Sequence, residues 1–208
     1  MSGYFVPTAP AQTELTEKRS RFIGHLWPVE DEAQARGYIE QMKKQYHDAR
    51  HNCWCYRLPG GVERYSDDGE PQGTAGQPML GVFQKEEVTG VVCVVTRYFG
   101  GVLLGAGGLV RAYTQSAKDT LDAAGISVVR RWVQVQVTCP YRLFERIKLE
   151  AEGLGGALGQ VDYAADVTVY ALLPEGAVDA FSARVTELTA GACAAAVVGE
   201  VFRPVPVG

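Results

Sequence analysis

Apolar residues in the first half of the chain recur at two different spacings, which predicts a domain that mixes helices with strands. Residues 31–46 and 107–124 repeat apolar positions every three or four residues, which is the spacing of an amphipathic helix. Residues 20–29 have the pattern of a strand, and residues 89–97 form an almost continuous apolar run. Because such a run is typical of a strand buried on both sides, we expect the sheet to be covered on both faces there.

The second half of the chain has a different rhythm, which predicts a separate domain. Residues 133–139 alternate apolar and polar positions, as a half-buried strand does, and Pro140 is well placed to open a helix. Two short strands, a second helix and a last strand follow up to residue 202. This β-α-β-β-α-β order is typical of a ferredoxin-like module. We therefore predict a chain of mixed α/β (α+β) class with two domains, residues 1–128 and residues 129–208.

The charge of the chain limits the kinds of partner that it can bind by electrostatics alone. The 208 residues include 20 lysines and arginines against 24 aspartates and glutamates, so the formal net charge is −4. Proteins that bind nucleic acid through charge alone usually carry a large basic excess. Any contact with RNA must therefore come from a local basic patch.

Three features predict a cytoplasmic protein that has no membrane partner. The N-terminal residues lack the basic leader and apolar stretch of a secretory signal. The longest apolar runs, such as residues 91–95, are far too short to span a bilayer. The five cysteines are an odd number, which favours reduced thiols over a disulfide framework.

A glycine-rich turn after the buried strand of the first half is the most suggestive functional feature. The strand ends at Arg97, and a helix is predicted to begin near Gly107 after the turn that contains Gly105. Free N–H groups at a helix start and the helix dipole favour an anion such as phosphate, and Arg97 and Arg111 would add charge-assisted hydrogen bonds. The alternative is that Gly105, Gly107 and Gly108 only allow close packing. Neither a dinucleotide fingerprint nor a Walker lysine is present.

A polar loop over residues 66–77 is long for a simple connection, so it is a possible functional loop. Its candidate residues are Asp67, Asp68, Glu70 and Thr74. The carboxylates have the chemistry of ligands for a divalent cation. The alternative, which we favour, is a turn that is capped by its own side chains.

His51, Cys53 and Cys55 would share one face of a strand, but a zinc site needs about four ligands. The remaining cysteines supply no second pair at a zinc-finger spacing, and small buried thiols are the commoner case. We therefore predict no metal site and no cofactor.

Three segments together closely resemble the signature of the IMPACT family, in its bacterial, YigZ-like form. Their order and spacing both match, and they read ARHNC at 49–53, YSDDGEPQGTAGQPML at 65–80 and RYFGGVLLGAGGLVRAY at 97–113. The resemblance implies that the first domain has the ribosomal-protein-like βαβ superfold of elongation factor G domain IV. It implies that the second domain is similar to elongation factor G domain V. Nucleic-acid or ribosome binding and a role in translation regulation are what the family likeness implies for function, and it implies no catalytic residues.

We therefore expect an RNA- or ribosome-binding protein with a role in translation regulation. The predicted binding residues lie in two of the three segments: Arg50, His51, Arg97, Tyr98, Gly105, Gly107, Gly108 and Arg111. The rings of Tyr65, Tyr98 and Phe99 would stack on bases, and the equal alternative for each is a place in the core.

Two alternatives stay open, together with the oligomeric state. One is an enzyme, a hydrolase or transferase acting on a small phosphorylated or peptide-like substrate through Asp67, Asp68, Glu70 and His51. The other is a module that binds a protein partner without nucleic acid. A closed pocket lined by carboxylates would favour the enzyme, whereas an open groove lined by arginine and aromatic rings would favour nucleic acid.

Overall fold

A computed structural model describes residues 3–207, and these fold into two compact units. The first unit contains Tyr4–Val128 together with residues 204–207, and the second contains Val129–Arg203. Five α-helices and two antiparallel sheets make up the described part of the chain. The predicted mixed α/β class is therefore confirmed.

The first unit is built on a five-stranded antiparallel sheet. Its elements are β1 (Tyr4–Pro7), β2 (Ala11–Glu17), β3 (Ser20–Pro28), α1 (Glu32–Gln45), β4 (His51–Arg57), β5 (Glu63–Ser66), α2 (Gly76–Lys85), β6 (Val91–Tyr98) and α3 (Ala106–Ala124). The order of the strands in the sheet is β2-β3-β6-β4-β5.

Strand β6 is buried on both faces, as its apolar run predicts. Cys93 and Val95 face a core that they share with α2 and α3. Val92 and Val94 face the opposite way, into a smaller core under α1. One helix therefore covers one face of the sheet and two helices cover the other, which leaves β6 no solvent-exposed side along most of its length.

The second unit has the β-α-β-β-α-β order that the sequence predicts. It contains most of β7 (Ile126–Cys139) and of β10 (Ala195–Pro206), whose outer ends belong to the first unit, and the whole of α4 (Tyr141–Gly153), β8 (Ala157–Tyr163), β9 (Val167–Pro174) and α5 (Val178–Leu188). Strand β7 lies between β10 and β9, and β9 pairs with β8. Val133, Val135 and Val137 alternate inward and pack with Ile147 of α4 and Phe181 of α5. The core of this unit therefore lies between the sheet and its two helices.

The region where the sequence changes rhythm is strand and not linker. Residues 126–131 are the first part of β7, and Ser127 and Val129 are buried there. Strand β1 of the first unit was not predicted from the sequence. Residues 204–207 return to the first unit, because the Val207 N–H donates to the Ile126 carbonyl at 2.9 Å.

Candidate functional site

Two of the predicted segments come together because β4 and β6 are neighbours in the sheet. His51 stands opposite Arg97 in the register of this pair. The polar loop before α2 and the glycine-rich turn before α3 close over the same end of the sheet. An open cavity of about 340 Å³ lies there, at the N-terminus of α3. It is lined by Arg50, Glu70, Pro71, Arg97, Phe99, Leu103, Leu104, Gly105, Ala106 and Leu109.

Helix α3 begins at this cavity without a side-chain cap from any residue in 3–207. The backbone of its N-cap, Gly105, has φ of 73°, which is a conformation that favours glycine. The first turn of α3 lies wholly within the described chain and contains no acidic residue. Gly107 leaves room for a side chain, whereas a Cβ on Gly108 would lie 2.9 Å from Cβ of Leu104. Close packing therefore accounts for Gly108. The start of the helix is left with N–H groups that can donate hydrogen bonds to an anion.

Arg97 lines the cavity, but its charge is already countered by Glu70. Nη1 of Arg97 donates to Oε1 of Glu70 at 2.7 Å, and the two side chains are only 7% and 3% exposed. Nη2 donates to Oγ of Ser20 at 3.3 Å, and Nε has no hydrogen-bond partner within residues 3–207. The guanidinium also lies over the rings of Phe22 and Phe99. Arg97 is thus part of a buried polar cluster and not a free surface cation.

Two further side chains complete this cluster. The hydroxyl of Tyr113 donates to the same Oε1 of Glu70 at 2.9 Å. The thiol of Cys53 donates to the Asp67 carbonyl, and its sulfur lies 3.4 Å from the Tyr113 hydroxyl. Burial raises the pKa of the Cys53 thiol, and it raises the pKa of the Tyr113 phenol in the same way. Both groups therefore stay protonated, and Cys53 does not have the low pKa of a nucleophilic cysteine.

The acidic loop uses its carboxylates to hold its own backbone. The carboxylate of Asp67 accepts hydrogen bonds from the N–H groups of Gly73, Ala75 and Gly76 at 2.8–3.0 Å. The carboxylate of Asp68 accepts from the Asn52 N–H at 2.7 Å. The Asp67 contacts agree with the favoured interpretation of the loop, a turn that is capped by its own side chains. The Asp68 contact instead ties the loop to strand β4.

Two other candidates are bound to the same loop. Nδ1 of His51 donates to the Asp68 carbonyl at 2.8 Å, which leaves Nε2 4.0 Å from Oε2 of Glu70. The hydroxyl of Thr74 donates to the Pro71 carbonyl at 2.6 Å. Neither His51 nor Thr74 lines the cavity. Both stabilise the loop through hydrogen bonds to its backbone.

Three exposed cations lie at this end of the sheet, Lys18, Arg50 and Arg111. Arg50 lines the first cavity, and Arg111 lines a neighbouring cavity of about 250 Å³ that also contains Lys18. The two cavities share Leu104 as a common wall. Within residues 3–207, none of these three cations forms an ion pair. They therefore form a mainly basic rim around the start of α3, although Glu17 also lines the second cavity.

The sequence prediction differs from the structure at three points of the site. Lys18 lies in the turn between β2 and β3, and its position beside α3 is decided by the fold. Glu70 was expected in the functional loop, but nothing in the sequence pairs it with Arg97. A signal for the burial of Arg97 was present, because it shares the strand face of Cys93 and Val95. Tyr98 lies outside both cavities, and its hydroxyl donates to Asp48 at 2.7 Å.

Two further observations concern the described chain as a whole. No group of three or more histidine, cysteine, aspartate or glutamate side chains within residues 3–207 is arranged to hold a metal ion. None of the helices in that part of the chain combines the length and apolar character needed to cross a membrane.

The chain matches two domain families. One is described as the Impact N-terminal domain and matches residues 18–121, and the other, Domain of unknown function (DUF1949), matches residues 137–192. A solved structure described as that of an hypothetical protein aligns with a TM-score of 0.61 at 30% identity, covering 96% of this chain and 98% of the other.

Curated relatives are similar along almost the whole chain. IMPACT family member YvyE of Bacillus subtilis is 38% identical, over 92% of this chain and 89% of the relative. IMPACT family member YigZ of Escherichia coli is 33% identical, over 92% of this chain and 96% of the relative. The Protein IMPACT homolog of Dictyostelium discoideum is 37% identical over 56% of this chain. Together with the two domain matches, these similarities place the chain in the IMPACT family.

Proposed function

We propose that the chain binds phosphate groups of RNA, free or within the ribosome, at the start of α3 and acts in translation. The observation that carries the proposal is the open 340 Å³ cavity in which an uncapped helix start meets Arg50 and Arg97. Helix N–H groups and the helix dipole favour a negative charge at that point. Arg50 adds a cation that forms no ion pair within residues 3–207.

The net charge of −4 requires that binding rest on this local patch. The second cavity supports a path for the RNA backbone, because Lys18 and Arg111 continue the basic rim beyond Leu104. Phe99 is 48% exposed at the mouth of the first cavity and presents a ring on which a base can stack. An open groove that joins an exposed arginine to an exposed aromatic ring is the arrangement that favours nucleic acid over a small substrate.

The enzyme alternative has weaker support from the same geometry. Asp67 and Asp68 are occupied by backbone N–H groups, and the carboxylate of Glu70 is held by Arg97 and Tyr113. A general base would need to reach a substrate proton from one of these positions. The structure supplies no specific observation in favour of a protein partner at this cavity.

The first test separates the anion site from RNA. Inorganic phosphate is titrated into the protein while the backbone amide resonances are followed by NMR. We expect the amides of Ala106, Gly107 and Gly108 to shift together, and the shift to weaken in Arg50→Ala.

The second test measures RNA binding against salt, using single-stranded RNA and, in parallel, purified ribosomes. Arg50→Ala and Arg111→Ala should each make the slope of log K against log salt less steep by about 0.7 for single strands, because each removes one phosphate contact. The matched control is Arg184→Ala, since Arg184 is an exposed arginine of the second unit that is paired with Glu150. No binding by wild type at low salt, or slopes equal to that of the control, would make the proposal wrong.

A further inference from the structure

A second groove lies in the first unit, on the sheet face opposite the α3 site. It is an open cavity of about 310 Å³ between one side of α1 and the surface of β4 and β5. Trp54 and Tyr56 alternate with Cys53 and Cys55 along β4, so their side chains point away from the core under α2 and α3. The groove and the α3 site are therefore separated by the sheet.

The floor of this groove is aromatic. The rings of Trp54 and Tyr56 are stacked, with their centroids 5.7 Å apart and their planes within 5° of parallel. The Tyr56 hydroxyl donates to Glu32 at 2.8 Å, which fixes its ring. Trp54 is only half-buried and lines the open cavity. A flat aromatic surface of this kind is well suited to stacking with a planar ring.

The walls of the groove are mainly basic. Arg36, Glu40 and Lys43 stand at helical spacing on one stripe of α1, and Arg64 lies directly opposite Tyr56 on β5. The Arg36 guanidinium donates two hydrogen bonds to Oε1 of Glu32. Nζ of Lys43 lies 3.7 Å from Oε1 of Glu40. Arg64 donates only to the Glu63 carbonyl, and it forms no ion pair within the described residues. The groove thus joins a stacking surface to an available guanidinium.

We propose that this groove binds a nucleotide, with its base stacked on Trp54 and its phosphate at Arg64. The charge of the walls favours an anion, and the aromatic floor favours a planar ring, so the ligand must combine the two. A cavity of 310 Å³ lies within the range of small-molecule sites. The ligand is either a free mononucleotide or one unit of a single-stranded RNA. The proposal does not depend on phosphate binding at α3, since none of its residues lies in that site.

The test follows the indole N–H resonance of Trp54, which is assigned by its loss in Trp54→Phe. Adenosine monophosphate, adenosine and ribose 5-phosphate are titrated separately. We expect the monophosphate to bind roughly tenfold or more tightly than ribose 5-phosphate, because only the former supplies a base to stack. Arg64→Ala should weaken the binding of the monophosphate and leave the affinity for adenosine unchanged. A short oligoadenylate that binds more tightly than the monophosphate would identify RNA as the source, and equal affinity would identify the free nucleotide.

Arg111→Ala is the matched control, since it removes an exposed arginine from the first unit on the other side of the sheet. It should leave the Trp54 titration unchanged, and Arg64→Ala should leave the phosphate shifts at Ala106 unchanged. Thermal melts confirm that each variant is folded. The proposal is overturned if the monophosphate does not shift the Trp54 resonance, if ribose 5-phosphate binds equally well, or if Arg64→Ala binds as wild type does.

Discussion

Replacing Glu70 by glutamine tests whether the buried ion pair stabilises the first unit. The substitution keeps the size of the side chain and one carbonyl acceptor, but it removes the negative charge that faces Arg97. Both side chains are more than nine-tenths buried, and Oε1 of Glu70 accepts from Arg97 at 2.7 Å and from Tyr113 at 2.9 Å. The variant therefore leaves a buried guanidinium without its counterion.

Two contributions set the expected loss. Hydrogen bonds to a charged acceptor are worth about 1 kcal/mol more than neutral ones, and two such bonds are weakened. Leaving one charge of a buried pair without its partner typically costs about 3–5 kcal/mol, and that range includes the weakened bonds. We expect Glu70→Gln to lower the free energy of unfolding of the first unit by about 3 kcal/mol.

The assay is urea unfolding followed by tryptophan fluorescence in a Trp132→Phe background. Trp27 and Trp54 then report on the first unit alone, since Trp132 belongs to the second. The matched control is Glu63→Gln, which removes the carboxylate from the pair with Arg57, whose side chains are 28% and 27% exposed. That change should cost about 1 kcal/mol, because solvent reaches this pair and partly screens it.

The double variant Glu70→Gln/Arg97→Met removes both charges and should recover part of the loss. Inorganic phosphate should also stabilise Glu70→Gln more than wild type, because the uncompensated Arg97 lies beside the anion cavity. A loss for Glu70→Gln no larger than that for Glu63→Gln would refute the reasoning.

Two further predictions concern other buried polar groups. Asp67→Asn should lower the free energy of unfolding by about 1–3 kcal/mol, because an amide cannot accept hydrogen bonds from all three N–H groups that the carboxylate holds. Amide hydrogen exchange should become faster at Gly73, Ala75 and Gly76, and unchanged exchange there would contradict the prediction. Burial lowers the pKa of His25, so the unfolded chain takes up the proton first and stability falls as the pH drops below about 6.5. Urea midpoints across that pH should change less in His25→Gln than in wild type, whereas His47→Gln, at an exposed position, should behave as wild type.

The sequence by itself determined the elements of both units to a large extent. The apolar spacing predicts α3 over residues 107–124, and the structure has it over Ala106–Ala124. The nearly continuous run in β6 predicts burial on both faces, which is confirmed. These predictions succeed because spacing and burial are local consequences of backbone geometry. Strand β1 escaped prediction because its four residues, Tyr-Phe-Val-Pro, do not alternate apolar and polar positions.

The tertiary structure decided which polar residues are free to act. From the sequence, Arg97 and Arg50 are both arginines beside glycine-rich or polar segments, and only the strand face that Arg97 shares with Cys93 and Val95 indicates its burial. In the structure, Arg97 is paired with Glu70, 27 residues away along the chain, whereas Arg50 remains exposed. The same holds for Asp67, whose carboxylate is taken up by the backbone of its own loop. Pairing of this kind depends on which strands become neighbours and which way each side chain points there. Residue type and local spacing carry little of that information, so the fold, and not the motif, separates the structural charges from those available to a ligand.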